Sequence, residues 1–141
     1  MQIRPLAEGY SVSPQILPEE VAQIAAAGFK VLICNRPDGE NPAELSAGAM
    51  GALAEAAGLR FVVNPVVGGA ITMDNVEIQR EAIDAADGPV LAYCASGNRS
   101  SIVWALAMAG RVPTDALIEA GAQYGYATEN FRPMIDKLAQ A

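Results

Sequence analysis

Val90-Leu91-Ala92-Tyr93-Cys94-Ala95-Ser96-Gly97-Asn98-Arg99-Ser100-Ser101 sets a thiol at the end of an apolar run and an arginine five positions later. Val90 to Tyr93 is short, apolar and preceded by the turn pair Gly88-Pro89, the pattern of a buried strand. Ser100 to Ala109 is the pattern of a buried helix stopped by Gly110. The residues between can turn their backbone N–H groups toward the helix N-terminus, where orphan donors and the positive end of the dipole favour negative charge. Cys94 is expected at the floor of that cradle. The N–H groups and the Arg99 guanidinium favour its thiolate, the form that attacks.

Each residue of the loop has a physical task. Ala95, Ser96, Gly97 and Asn98 supply main-chain donors to a bound anion, and Gly97 lets the chain turn with positive φ and lets a ligand approach closely. Arg99 offers a planar fork suited to sulfate, thiosulfate or phosphate oxygens. Ser100 is expected to cap the helix or to donate its hydroxyl to the thiolate.

Outward from this stretch, strands alternate with helices. Residues 2–13 read as one or two short strands at a sheet edge, broken by Pro14 and Pro18. Pro18 to Gly28 is a short helix with proline at its first turn, and Phe29 to Cys34 is a strand buried on both faces. Asn35 to Glu40 is a turn at that strand's carboxyl end, the side of an open α/β sheet where ligands collect, and Arg36 there is a candidate second positive group for the anion site. Pro42 to Ala57 is an alanine-rich helix, and Leu59 to Val63 is the third strand. Val66 to Ile71, with Gly68-Gly69, reads as a mobile or tightly turned loop beside the site. Asp74 to Ala86 is a helix with Val76, Ile78, Ala82 and Ile83 inward. Two further helices, Pro113 to Gly121 and Thr128 to Gln140, complete the chain, the last expected to pack across the sheet. The order predicts one α/β domain over residues 1–141, with a mainly parallel sheet of about four or five strands and helices on both faces.

Composition narrows the chemistry. The chain has 141 residues, 52% hydrophobic and 18% charged, with a net charge of −7, two cysteines and no histidine. A disordered chain and a nucleic-acid partner are both disfavoured, since phosphate backbones call for basic patches. Without histidine there is no Cys/His relay, and neither a metal nor an organic cofactor is expected. No basic start leads into a long apolar run, and no run is long enough to span a bilayer, so a cytoplasmic protein with reduced thiols is expected. Cys34 reads as a structural core thiol, with a resolving partner for Cys94 as the alternative. Oligomeric state is not legible.

The segment Cys94 to Ser100 resembles the active-site loop shared in outline by rhodanese sulfurtransferases and cysteine-dependent phosphatases. Four residues separate Cys94 from Arg99, as in rhodanese, where the cysteine phosphatases use five. Over most of the chain, from about residue 1 to 130, the order of segments resembles another family, the phosphatase-like domain of beta-lactamase-hydrolase-like proteins. The matching pieces are Gly28 to Glu40, Asn64 to Thr72, and Gly88 through Cys94 to Leu106. That resemblance implies a fold related to dual-specificity phosphatases, in a family whose members are often described as sulfur transferases. One departure matters: dual-specificity phosphatases carry a general-acid aspartate on the loop that corresponds to Asn64 to Gly69, and here that loop has no acid.

Loop length and the missing acid both favour sulfur transfer through a Cys94 persulfide, because sulfite or a thiolate leaves without a proton. Phosphate monoester hydrolysis through a phosphocysteine is the alternative, and a non-catalytic anion-binding module the third. All three take a small anionic substrate: thiosulfate, a persulfide or a phosphate ester.

Overall fold

The computed structural model describes all 141 residues. Five strands form one sheet: β1 (Arg4–Ala7), β2 (Tyr10–Ser13), β3 (Val31–Cys34), β4 (Arg60–Val63) and β5 (Val90–Tyr93), in the order β1-β2-β5-β3-β4. β1 pairs antiparallel with β2, and the other pairings are parallel. The fold class expected from the sequence is present. β2, expected at an edge, lies inside the sheet against β5 with all four residues buried; β1 alone takes the edge on that side.

Six helices cover the sheet: α1 (Val21–Ala26), α2 (Ala47–Ala56), α3 (Met73–Ala85), α4 (Asn98–Ala107), α5 (Thr114–Ala122) and α6 (Arg132–Ala139). Strand alternation divides the core. Leu32, Cys34, Leu91 and Tyr93 face α1 and α2, where they meet Val21, Ile24, Met50 and Ala54. Val12, Val31, Ile33, Val90 and Ala92 face the other way, with Val76, Leu106, Leu117 and Ile135. Small residues on α2 do bring it close to the sheet: a side chain on Gly51 would meet the Phe61 ring at 2.8 Å. That helix starts later than expected, because Ser46 caps it by accepting from the Ala49 N–H at 3.2 Å. α6 does not cross the sheet; it packs on α4 and α5, burying Ile135.

The largest departure from the sequence reading lies on α3. Ile78, expected inward, is exposed, and the inward positions are Asn75, Val76, Gln79 and Ala82. Two polar side chains face in because the carboxyl ends of β3 and β4 present buried amides that need partners. Asn35 Nδ2 donates to Asn64 O (2.9 Å) and Gln79 Oε1 (3.0 Å), and Asn64 Nδ2 donates to Asn75 O (2.9 Å) and Gln79 Oε1 (2.8 Å). Gln79 Nε2 donates to Tyr10 Oη at 2.8 Å, and Asn75 Nδ2 donates to Asn64 Oδ1 at 2.8 Å. Burial keeps the Tyr10 phenol protonated, and it donates to the Ser100 carbonyl at 3.3 Å. These bonds tie β2, β3, the end of β4, α3 and α4 at one edge of the sheet.

Replacing Gln79 by alanine strands buried groups on Asn35, Asn64 and Tyr10 at once. Gln79→Ala is expected to cost about 3 kcal/mol of folding stability, read as a lower urea midpoint with unchanged slope, whereas exposed Ile78→Ala stays within about 1 kcal/mol.

Candidate active site

Cys94 follows β5 directly and is 0% exposed. The chain then turns through Gly97, whose φ of +94° is left-handed, and any Cβ there would run into the Tyr126 hydroxyl. The turn aims the Gly97 N–H at Cys94 Sγ, 3.1 Å away. Gly97 is also the N-cap of α4, so the helix begins at Asn98, two residues earlier than expected, with its positive end beside the sulfur. Ala95 and Ser96 face solvent. The loop is braced from outside: Gln15 N–H donates to Ala95 O (3.3 Å), Asn98 Oδ1 accepts from Ala127 N–H (2.9 Å), and Tyr126 Oη donates to Ser96 O (3.0 Å). Burial pushes the Tyr126 phenol up, so that proton stays in place.

Arg99 stands in the first turn of α4. Its Nη1 donates to Val66 O and to Glu40 Oε2, both at 2.8 Å, and its Nη2 donates to Glu40 Oε1 at 2.8 Å. A guanidinium has five N–H donors. One hydrogen each of Nη1 and Nη2 is therefore spent end-on with the Glu40 carboxylate, and the second Nη1 hydrogen goes to Val66 O. The Nε–H and the second Nη2 hydrogen remain, adjacent on the side-on edge, where they match two oxygens of a tetrahedral anion.

Glu40, on the short helical turn Asp38–Glu40 after β3, is a functional candidate the sequence reading missed. The only signal for it was an acid in a turn at the carboxyl end of a strand. Arg36 is not aimed at the anion site: its Nε donates to Glu40 Oε1 (3.3 Å), its Nη2 to Glu40 O (3.2 Å) and its Nη1 to Gln15 Oε1 (3.2 Å). One carboxylate lying between two arginines leaves the group with a single net positive charge. The Arg99 hydrogen bond, with Arg36 beside it, holds the Glu40 carboxyl below the usual carboxylate range, and Glu40 in turn raises Arg99.

Ser100 neither caps the helix nor donates to the sulfur. It is fully buried and its Oγ donates to Asn35 Oδ1 at 2.8 Å, joining the loop to the amide network. Cys34 keeps to the α1/α2 core, with its thiol donated to Arg36 O at 3.5 Å; both cysteines are free, and burial pushes the Cys34 thiol up. Val66 in the Asn64–Gly69 segment is buried and gives its carbonyl to Arg99, and no carboxylate stands on that segment. Asp74 sits exposed in the first turn of α3, behind a cap formed by Thr72 and Asn75. No three His, Cys, Asp or Glu side chains converge to hold a metal ion.

The chain is similar to known proteins over most of its length. The family model described as Beta-lactamase hydrolase-like protein, phosphatase-like domain, matches residues 2–111. The beta-lactamase hydrolase-like protein of Xylella fastidiosa is 33% identical over 128 residues, which cover 89% of this chain and 30% of that protein. The chain thus spans about three-tenths of the length of the curated relatives it matches. A crystal structure of a candidate phosphatase from Neisseria meningitidis is 36% identical, with a TM-score of 0.82 over 98% of this chain and 99% of that one. TpbA of P. aeruginosa, solved in complex with phosphotyrosine, shares the fold at 17% identity, with a TM-score of 0.62 over 94% of this chain and 89% of that one.

Gly97→Ala meets both the left-handed backbone and the Tyr126 hydroxyl; it is expected to cost about 1–3 kcal/mol, measured by urea denaturation. The pairing of Glu40 with Arg99 gives an acid signature. Because the folded carboxyl lies below its unfolded value, the stability it contributes is present above about pH 4.3 and is lost as pH falls through the depressed value. Glu40→Gln removes that contribution, so the difference in melting temperature between the wild type and the variant is expected to shrink on acidification from pH 6 toward pH 3.

Proposed function

We propose that this chain, which belongs to the family of phosphatase-like domains of beta-lactamase hydrolase-like proteins, is a cysteine-dependent phosphatase that hydrolyses phosphate monoesters of phenols, phosphotyrosine among them. The observation that carries the reading is the Cys94 sulfur 3.1 Å from the Gly97 nitrogen at the start of α4, with the side-on edge of Arg99 unspent. The substrate phosphate is held by Arg99 and by the main-chain N–H groups of the loop from Ala95 to Gly97, the Asn98 N–H being taken by Ser96 Oγ at 3.2 Å. Cys94 thiolate attacks phosphorus, the S–P bond forms as the P–O bond to the phenol breaks, and the phenolate departs. Water then attacks the phosphocysteine, releasing inorganic phosphate and restoring the thiol. The TpbA complex with phosphotyrosine supports a phosphate ester in this fold.

The leaving group decides the substrate class. No acid stands on the Asn64–Gly69 segment, and Glu40 is ionised and turned to the far edge of Arg99, so the departing oxygen receives no proton from a positioned carboxyl. Phenolates leave without one, alkoxides do not. In this reading Glu40 orients Arg99, Arg36 steadies Glu40, and Ser100 fixes the loop through Asn35. The whole of residues 1–141 acts as one catalytic domain in the cytoplasm, where its thiol stays reduced.

Sulfur transfer, which the sequence reading ranked first, falls behind, because the matched relatives and neighbours favour the phosphatase. One feature still supports it as a second reading: the four-residue spacing between Cys94 and Arg99, which suits a single persulfide sulfur.

Purified protein is expected to hydrolyse p-nitrophenyl phosphate, and Cys94→Ser to lower kcat by at least about 10³-fold. The kcat for phenyl phosphates is expected to exceed that for alkyl phosphates by more than about 10²-fold. Thiosulfate:cyanide transfer with a cyanide-labile extra sulfur on Cys94, and no phosphate release, would reverse the ranking; phosphate binding without turnover of either kind would leave the anion-binding module.

A further inference from the structure

Three arginines are tied to the Cys94 loop, and their charges are handled differently. Arg99 and Arg36 share the Glu40 carboxylate. Arg4, on β1, has only neutral partners: its Nη1 donates to Tyr126 Oη at 2.7 Å and its Nη2 to Gln2 Oε1 at 2.6 Å. Its guanidinium carbon lies 5.9 Å from the Tyr124 ring centre and 5.7 Å from the Tyr126 ring centre, so the two aromatic faces hold it in place. Tyr124 is itself pinned, its hydroxyl donating to Pro5 O at 2.8 Å. Three of the five N–H donors of Arg4 are left: the Nε–H and one hydrogen on each Nη.

The position of this cation gives it meaning. Tyr126 Oη, which accepts from Arg4, donates to the carbonyl of Ser96, one of the two solvent-facing residues of the loop. Arg4 therefore stands one phenol away from the rim of the anion site, on a braced support, carrying a full charge in a chain whose net charge is −7. Arg99, Arg36 and Glu40 together offer only one net positive charge, which a phosphate dianion already exceeds. A substrate with a further negative group outside the phosphate finds its complement at Arg4.

We propose that Arg4, held by Tyr124 and Tyr126, forms a second anion subsite at the rim of the Cys94 loop and selects phosphate monoesters that carry another anionic group beyond the scissile phosphate. The inference rests on the phosphatase reading. The second group is a carboxylate next to a phosphotyrosine in an acidic peptide or a second phosphate on a small molecule; the chemistry is shared and the test separates the sources.

The experiment compares kcat/KM for four probes: phenyl phosphate, a phosphotyrosyl peptide flanked by glutamates, the same peptide flanked by alanines, and a phenylene bisphosphate. Wild type is expected to prefer the glutamate peptide or the bisphosphate over the counterpart that lacks the second anionic group, on the order of fivefold. Arg4→Met, which keeps an unbranched stem against the tyrosines, is expected to abolish that preference while changing phenyl phosphate turnover by less than about twofold; Arg4→Lys is expected to restore part of it. A preference seen for the peptide alone assigns the subsite to acidic peptides, and one seen for the bisphosphate alone assigns it to small bisphosphates. Equal losses on all four probes would make Arg4 a structural brace, and the absence of any preference in the wild type would likewise overturn the proposal. Calorimetric binding of the same probes to the Cys94→Ser protein gives the same comparison without turnover: a chain that hydrolyses none of the probes, yet binds the doubly anionic ones more tightly through Arg4, refutes the phosphatase reading and keeps the subsite.

Discussion

Polar groups cut off from water at the carboxyl edge of the sheet must find partners inside the protein, and that requirement organises this molecule. Asn35, Asn64, Asn75 and Gln79 satisfy one another, and through Tyr10 and Ser100 they reach the first turn of α4. The loop that carries Cys94 is therefore not free to settle by its own preferences. Ser100 anchors its far end, β5 its near end, and the six residues between, Cys94 to Arg99, close with Gly97 in the left-handed region and its N–H on the sulfur. A loop so short leaves no slack for a residue with a Cβ at that point.

Charge at the site is apportioned by geometry rather than by number. Three arginines surround the loop, yet Glu40 cancels one of the two charges carried by Arg36 and Arg99. That carboxylate occupies the end-on edge of Arg99 and so decides which edge is presented to a substrate. The arrangement trades some attraction for orientation, the exchange that the proposed reaction calls for, since it needs a phosphate held in line with Cys94 Sγ. The same apportionment leaves Arg4 as the charged group on the rim that no acid neutralises.

The lack of an acid on the Asn64–Gly69 segment acquires a structural explanation. In place of a side chain reaching over the substrate, this segment contributes a backbone carbonyl, that of buried Val66, to the clamp on Arg99. Buried Val66 is committed to that clamp, and in the proposed reaction departure rests on the leaving group itself.

Much of this was legible in the chain itself. The apolar run from Val90 to Tyr93, the glycine at 97 and the arginine at 99 are local signals: a strand, a left-handed turn and a helix start each depend on nearby residues, and the Gly97 conformation followed from the absence of a side chain. Alternating strands and helices likewise predicted the sheet and its two covered faces. What the tertiary structure alone decided involves pairs distant in sequence. Ser100 turns to Asn35 instead of the sulfur, Arg36 turns to Glu40, and Asn75 and Gln79 displace Ile78 from the inward face of α3, because each polar group takes the partner that folding brings within reach. Short-range order is written in neighbouring residues; which distant donor meets which acceptor depends on how strands register and helices pack, and that exists only once the chain has folded.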